Sequence, residues 1–216
     1  MLEILFEDEW LLAVDKPAGV VAHPTYKNAE GTLLDALRER DPSAPFSLVS
    51  RLDKMTSGIV VVAKSPEAHA ALQRMWPNAE KEYFAVAHGC VEPVSGELDL
   101  PLGPDPADRR RRIVRSDGAP SVTRFERVQY WPAVDLTQLC CLLVTGRRHQ
   151  IRVHLAARGW PIVGDAVYGR PLEGFPRHAL HASRLALTHP ASGERLSIEA
   201  PVPADFRRLT ECSRSD

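Results

Sequence analysis

The feature that most restricts the fold of this chain is an apolar run directly after a polar turn. Ile59–Ala63 reads IVVVA, an unbroken and mostly β-branched run that predicts a buried strand. The turn before it, Arg51–Gly58, holds an arginine, a carboxylate, two hydroxyls and a glycine. A rigid strand with polar groups at its end is the arrangement that a catalytic site needs. The same residues also fit a simpler role, in which Asp53 caps the turn and Gly58 permits it.

Composition excludes several classes of protein. The 216 residues are 44% hydrophobic and 25% charged, which is typical of a globular chain with a real core. No apolar run approaches the roughly 18 residues that a membrane span requires, and the N-terminus lacks a signal-peptide pattern. The four cysteines form no CxxC pair, so neither a disulfide framework nor a zinc knuckle is expected. We therefore expect a cytoplasmic protein.

The order of the sequence patterns indicates an α+β fold. Strands are predicted at residues 2–6, 10–14, 59–63, 81–89, 122–130, 134–144, 181–188 and 195–200, mostly as hairpins. Helices are expected after the N-cap residues Thr32 and Ser65, and a third is expected to end at Gly159. We predict a single domain, residues 1–208, built around a largely antiparallel mixed sheet with flanking helices. Residues 209–216 are predicted to form a polar C-terminal tail.

The net charge of −1 does not indicate a nucleic-acid-binding protein, but the arginines are clustered. Residues 103–121 are rich in glycine and proline and are predicted to form a long loop. It contains Arg109, Arg110, Arg111 and Arg112, with Arg115 close behind. The loop is either a solvated, mobile segment or an arm that grips phosphates, because arginine binds phosphate oxygens in pairs.

Two other side chains have more than one interpretation. His23 precedes Pro24, so we expect it to project from a strand end, either as a structural histidine or as a base. Tyr83 shares a strand face with Ala85 and Ala87, which leaves space around its ring. That space fits ordinary packing and also fits a platform on which a base stacks.

The segment Gly146–Leu155, GRRHQIRVHL, predicts a turn into a helix. His149 and Arg152 are three residues apart, so on a helix they would share a face. His149 and His154 are five residues apart, which is a poor spacing for two helical ligands, and the sequence offers no third ligand. We therefore predict no metal site.

Together these segments resemble the RluA-type family of RNA pseudouridine synthases. Its HRLD-x-x-TSG turn corresponds to Ser50–Gly58, its K-x-Y strand to Lys81–Tyr83 and its KPxG turn to Lys16–Gly19. Its GRxHQIRxHL and GxPIxGDxxYG segments correspond to Gly146–Leu155 and Gly159–Gly169. The similarity runs in order from about residue 2 to residue 206.

Two departures from the family pattern bear on function. Ser50 stands where the family usually has histidine, so any role of that histidine is absent or moved. Many relatives carry an N-terminal S4 RNA-binding domain, and from this sequence we expect none here. We therefore expect the catalytic domain itself to hold the RNA.

The resemblance implies isomerisation of uridine to pseudouridine without a cofactor. It assigns Asp53 as the catalytic carboxylate, Arg152 as the salt-bridge partner of Asp53, and Tyr83 as the ring that stacks on the uracil. A nearby cation lowers the pKa of an aspartate by about 1–3 units, which would keep the carboxylate ionised. The sequence leaves three routes open: attack on the sugar C1′, attack on the base C6, or a glycal route.

The resemblance also implies a substrate-binding surface. Arg51 is similar to the arginine that fills the space of the flipped base, whose removal from the stack costs roughly a few kcal/mol. The other residues expected to bind substrate are Thr56, Arg147, His149, Gln150, Arg109, Arg110, Arg111 and Arg112. The expected partner is a stem-loop of tRNA or large-subunit rRNA, and the expected state is a monomer.

Two other functions stay open from the sequence. One is an RNA-binding or assembly protein that has the fold but no catalysis. The other is a carboxylate-based glycosidase acting on a nucleoside or sugar, which would need a second carboxylate such as Asp165. Activity on free uridine would favour the glycosidase, and a strict need for structured RNA would exclude it.

Overall fold

A computed structural model describes residues 2–24 and 30–211 of the chain. Within that part, the strands are β1 (Glu3–Glu7), β2 (Leu11–Lys16), β3 (Ser47–Leu48), β4 (Ser57–Ala63), β5 (Glu80–His88), β6 (Ser95–Asp99), β7 (Leu102–Pro104), β8 (Arg112–Val114), β9 (Val122–Trp131), β10 (Leu136–Leu143), β11 (Leu180–Thr188) and β12 (Arg195–Glu199). The α-helices are α1 (Leu33–Arg40), α2 (Pro66–Met75), α3 (Gln150–Ala157) and α4 (Ala204–Glu211). The predicted α+β class is confirmed.

The chain divides into two compact units. The first unit comprises Met1–Glu80 with Ala182–Pro201, and the second comprises Lys81–His181 with Val202–Asp216. The single domain at residues 1–208 stays a prediction. Helix α4 extends to Glu211, inside the stretch that was expected to be a tail, and residues 212–216 lie outside the described part.

In the first unit, β2 pairs antiparallel with β1 on one side and with β4 on the other. Every residue of β4 is buried, as predicted. Val61 belongs to an apolar cluster with Leu72 of α2, whereas Val60 belongs to a second cluster with Leu37 of α1. Because alternate residues of a strand face opposite sides, a strand covered on both faces has to be apolar throughout. That double cover explains the unbroken run in the sequence.

Both predicted N-caps of the first unit are confirmed. Thr32 accepts a hydrogen bond from Asp35 N–H, and the Asp35 carboxylate accepts one from Thr32 N–H, forming a capping box. Ser65 accepts from Ala68 N–H at the start of α2. The prediction that His23 projects from the end of a strand is wrong, because His23 lies outside every strand. Val21 C=O accepts a hydrogen bond from Leu33 N–H in the first turn of α1.

In the second unit, the antiparallel order is β5, β10, β9 and β6. The prediction that the strand at 134–144 is central is confirmed, because β10 lies between β5 and β9. Leu139 and Cys141 of β10 pack in an apolar cluster with Leu155 of α3 and Phe206 of α4. This cluster holds α3, the helix that carries Arg152, against the sheet.

Two elements of the second unit differ from the sequence-based prediction. The prediction of a long loop at 103–121 is wrong in part, because β7 and β8 pair there as a small antiparallel sheet. Three-residue strands are too short to show alternation, and the glycines and prolines around them indicate a loop. Helix α4 was not expected in a polar segment, but its apolar residues Phe206 and Leu209 share one buried face.

Among the residues described, no helix has both the length and the apolar character needed to cross a membrane.

Candidate active site

The turn that carries Asp53 is fastened by backbone and lysine contacts within the first unit. Thr56 N–H donates to Asp53 C=O over 3.0 Å, and Gly19 N–H donates to Lys54 C=O over 2.8 Å. The Lys16 ammonium also donates to Lys54 C=O, over 3.3 Å. Asp53 is half-buried, and the residues that follow it enter β4 directly. A catalytic carboxylate at this position would therefore rest on a fixed backbone.

Lys16 is fully buried, with 0% of its surface exposed. Besides Lys54 C=O, its ammonium donates to Pro17 C=O over 2.8 Å and to Val20 C=O over 2.9 Å. An ammonium has three N–H donors, so these three carbonyls match its capacity. The lysine of the KPxG turn thus ties that turn to the one containing Asp53.

Gly58 and Ser50 flank Asp53 in the motif, and the structure gives each a local role. Gly58 has φ of +110°, and a Cβ there would overlap the carbonyl oxygen of Ala182. Only glycine satisfies both conditions. Ser50 Oγ accepts a hydrogen bond from Val61 N–H over 3.3 Å, so the residue that replaces the family's histidine contacts the backbone of β4.

The other two expected site residues in this unit differ in exposure. Arg51 is exposed at the start of the turn, where a solvated guanidinium can reach a ligand. Thr56 is 2% exposed, so its hydroxyl lies inside the protein. The substrate-binding roles of both residues stay predictions.

In the second unit, Arg152 forms a buried ion pair with Asp165. Arg152 Nε lies 2.7 Å from Asp165 Oδ2, and Nη2 lies 2.8 Å from Oδ1. Arg152 is 4% exposed and Asp165 is 1% exposed. Burial by itself would raise the pKa of Asp165, but the hydrogen bond and charge of Arg152, with two backbone N–H groups, lower it.

This ion pair bears on two expectations. A carboxyl whose pKa is lowered stays ionised, so Asp165 is poorly suited to donate the proton that a two-carboxylate glycosidase requires. The pairing of Arg152 with Asp53 stays a prediction, since the two residues belong to different units.

His149 does not share a helical face with Arg152, so that prediction is wrong. Helix α3 begins at Gln150, and His149 precedes it with φ of +60° and ψ of +16°, in the left-handed region. A left-handed conformation costs a non-glycine residue roughly 1–2 kcal/mol and is common at functional sites. The His149 ring is held by Tyr168, whose hydroxyl lies 2.7 Å from Nδ1.

Gln150 and Arg147 lie at the start of the same helix. Gln150 is 2% exposed, and its amide donates to Val122 C=O and to Thr123 Oγ1, over 3.0 and 2.9 Å. Its carbonyl oxygen accepts from the Thr145 hydroxyl and from Arg147 N–H, over 2.7 and 3.0 Å. The protein thus uses the hydrogen-bonding capacity of Gln150, whereas the Arg147 side chain is exposed. Substrate binding by either residue stays a prediction.

The arginine segment, residues 109–112, lies between β7 and β8 and ends at Arg112, the first residue of β8. Arg109 is exposed, and Arg110 is exposed but pairs with Asp108, Nη2 to Oδ2, over 2.7 Å. Hydrogen bonds from Arg110 hold the pKa of Asp108 at about 2. Arg111 and Arg112 are only partly exposed. Part of the positive charge of this segment is therefore balanced within it.

Tyr168 contacts both the arginine segment and the start of α3. Its hydroxyl accepts from Arg112 N–H over 2.7 Å, and the guanidinium carbons of Arg111 and Arg152 lie 5.5 and 5.1 Å from its ring centroid. Sequence reasoning did not single out Tyr168. The available signal was its place in the GxPIxGDxxYG segment, three residues after Asp165.

Tyr83 lies on β5 directly opposite Cys141 of β10. Its ring is half-buried and packs against the apolar cluster of the second unit. One part of the side chain thus has a packing role, and the exposed part leaves a surface for a ligand. Stacking on uracil stays a prediction.

Comparison with known proteins adds independent observations. A family model described as RNA pseudouridylate synthase matches residues 10–157. The ribosomal large subunit pseudouridine synthase D of Xanthomonas campestris is 42% identical, over 100% of this chain and 70% of its own length. The protein of that name from Pseudomonas aeruginosa is 39% identical, over 100% of this chain and 72% of its own length. The solved structure of human RNA pseudouridylate synthase domain containing 1 has a TM-score of 0.77 at 25% identity, and covers 100% of this chain and 96% of that one.

Proposed function

Because this chain belongs to the RNA pseudouridylate synthase family and is an RNA pseudouridine synthase, we propose that its substrate is a stem-loop of large-subunit rRNA. The observation that carries this proposal is the 42% identity, over the whole chain, to a synthase named for the large ribosomal subunit. A stem-loop presents unpaired bases that a protein can splay out and read, which suits an enzyme that must reach a single uridine.

In the proposed mechanism, Asp53 is the carboxylate that acts on the target uridine. The bond between C1′ and N1 breaks, the uracil turns, and a new bond forms between C1′ and C5. C5 loses its proton and N1 gains one, so the reaction is an isomerisation that needs no cofactor. The fixed backbone of the Asp53 turn supports this role, because a nucleophile acts only when it is held in line with its target.

Arg152, Tyr83 and Arg51 complete the proposal. Arg152 would orient the Asp53 carboxylate, and Tyr83 would hold the detached uracil by stacking. Arg51, which is exposed, would occupy the space that the flipped base leaves. The remaining arginines of the expected site, with His149, would line the path of the RNA. We also propose that the protein is a monomer and acts in the cytoplasm.

The test uses the purified chain with RNA transcripts tritiated at C5 of uridine, because pseudouridine formation releases that hydrogen. Large-subunit rRNA fragments, bulk tRNA and free uridine are compared. We expect release from the rRNA fragments, and we expect Asp53→Asn to reduce it by roughly 10³-fold or more, as for loss of a nucleophile. Asp99→Asn, at an exposed aspartate of β6, is the matched control and should be as active as the wild type.

The outcomes separate the parts of the proposal. Release from tRNA alone would overturn the choice of rRNA. Formation of free uracil from uridine without tritium release would favour the glycosidase interpretation, because hydrolysis of the glycosidic bond leaves the hydrogen at C5 in place. An Asp53→Asn variant as active as the Asp99→Asn control would overturn the role of Asp53.

A further inference from the structure

Tyr168 contacts four residues of the expected site at once, two through its hydroxyl and two through its ring. The hydroxyl accepts from Arg112 N–H and forms a hydrogen bond with His149 Nδ1, both over 2.7 Å. The ring lies under the guanidinium groups of Arg111 and Arg152, with 5.5 and 5.1 Å between guanidinium carbon and ring centroid. These distances are within the range of cation–π attraction.

One of the hydroxyl contacts attaches a short strand to a distant segment of the second unit. β8 is three residues long and pairs only with the three residues of β7 in the described structure. A two-stranded hairpin is at most marginally stable in water. The hydrogen bond from Arg112 N–H to Tyr168 therefore attaches this small sheet to the segment that follows Asp165. On the other side, the same hydroxyl holds the ring of His149, whose backbone is in the left-handed region.

The Tyr168 ring contacts the side chains of Arg111 and Arg152. Arg111 Nε is buried and is 3.8 Å from Asp105 Oδ2, beyond hydrogen-bonding distance. The face of the Tyr168 ring supplies the favourable contact that this guanidinium does not obtain from a hydrogen bond at Nε. Burial raises the pKa of Tyr168, so its hydroxyl stays protonated at neutral pH and can serve as donor and acceptor.

We propose that Tyr168 is a positioning residue for RNA, whose hydroxyl holds the arginine segment 109–112 and His149 in one preformed arrangement. The inference rests on the proposed function only in taking RNA as the ligand. A preformed set of cations loses less side-chain and loop freedom when it binds phosphates, so it binds them more tightly. Removal of the hydroxyl should therefore weaken RNA binding, while the ring remains to hold Arg152 and turnover of bound RNA is retained.

The test compares Tyr168→Phe with Tyr130→Phe. Tyr130→Phe also removes a hydrogen bond from a tyrosine hydroxyl, which Tyr130 donates to Asp135 Oδ1 over 2.9 Å. That bond lies at the turn between β9 and β10 and involves none of the residues expected to bind RNA. For Tyr168→Phe we expect Kd and KM for a large-subunit rRNA fragment to rise roughly 3- to 10-fold, the range for loss of one or two hydrogen bonds. We expect kcat to stay within about two-fold of the wild-type value, and Tyr130→Phe to match the wild type throughout.

A merely structural role gives a different result. If Tyr168 only stabilises the fold, its loss lowers the melting temperature and the active fraction, which reduces apparent kcat at unchanged KM. Salt dependence adds a second readout, because fewer ordered phosphate contacts give a shallower slope of log Kd against log salt. An unchanged Kd and slope in Tyr168→Phe would overturn the inference.

A double-mutant cycle localises the effect. Arg112→Ala removes the guanidinium but keeps the N–H that donates to Tyr168. If the hydroxyl acts by placing this arginine, Arg112→Ala costs less affinity in the Tyr168→Phe background than in the wild type. Additive losses would contradict the proposal. Because filter binding needs no turnover, the inference is decided even if the wild type proves inactive on rRNA, and that inactivity would count against the proposed function alone.

Discussion

Arg152 and Asp165 form a bidentate ion pair in which the Arg152 side chain is 5% exposed and that of Asp165 is fully buried. Both carboxylate oxygens accept from the guanidinium, and Oδ1 also accepts from the N–H groups of Val167 and Tyr168. This geometry fixes the guanidinium plane before any ligand binds. The arginine expected to orient the catalytic carboxylate is thus itself oriented by a second carboxylate on the next segment of chain.

Asp165→Asn should strongly destabilise the protein. The substitution keeps the size of the side chain but leaves the buried Arg152 without this negative charge, and loss of one member of a buried pair costs about 3–5 kcal/mol. Urea denaturation followed by circular dichroism measures the change. The control is Asp117→Asn, which removes an exposed partner of Arg115 and should change the unfolding free energy little. Equal effects of the two substitutions would contradict this prediction.

Arg152→Ala should abolish most turnover, and Arg152→Lys should not restore it. Lysine supplies the charge but not the planar pair of donors that binds a carboxylate through both oxygens. Single-turnover kinetics at saturating RNA measures the chemical step on folded protein. Normal turnover in Arg152→Ala would refute its proposed pairing with Asp53.

Lys16→Met should loosen the Asp53 turn. The substitution keeps the length of the side chain and deletes the ammonium, so Lys54 C=O and two other carbonyls lose a donor. A buried acceptor left without a partner costs about 1–3 kcal/mol. We expect lower stability and a fall in kcat that exceeds any rise in KM. The control is Lys64→Met, at a partly exposed lysine. If Lys16→Met and Lys64→Met had the same kcat, Lys16 would not be needed to hold the Asp53 turn for catalysis.

Stability should fall as pH drops below about 6.5, the ordinary pKa of histidine. Burial lowers the folded-state pKa of His154 and of His88. Below pH 6.5 the unfolded chain therefore binds protons that the folded chain does not, and the loss is at most about 1.4 kcal/mol per pH unit for each group. Denaturation between pH 5 and 8 measures the slope.

His154→Gln tests the origin of that slope. His154 Nε2 lies 2.9 Å from Leu100 C=O, which can only accept, so Nε2 carries the proton, and Nδ1 accepts from the Thr123 hydroxyl. Glutamine offers one donor and one acceptor without titrating. The slope of the variant should be smaller than that of the wild type, and an unchanged slope would assign the effect to other groups.

Local signals in the sequence predicted much of the fold. The β-branched run gave β4, and the caps Thr32 and Ser65 located the starts of α1 and α2, because these features act within one turn or one strand. The β7–β8 sheet was missed because its strands are too short to show a period. The left-handed backbone of His149 was missed because residue type favours that conformation mainly for glycine and asparagine.

The contacts that build the site were less accessible to sequence reasoning. Lys16 donates to a carbonyl 38 residues away, and Arg112 donates to a hydroxyl 56 residues away. Such pairings depend on how distant segments pack, which no local period records. Most of these residues lie in the family motifs, but the contacts of Arg152 and His149 with Tyr168 follow only from the folded structure.

Above all, we propose that this chain makes pseudouridine with Asp53. The most direct measurement is pseudouridine mapping of total rRNA and tRNA from cells that lack the protein, complemented with the wild type or with Asp53→Ala. We expect that one or a few pseudouridines in large-subunit rRNA disappear without the protein and return only with the wild type. If no site changes, or if Asp53→Ala restores every site, the catalytic role of Asp53 in the cell is contradicted.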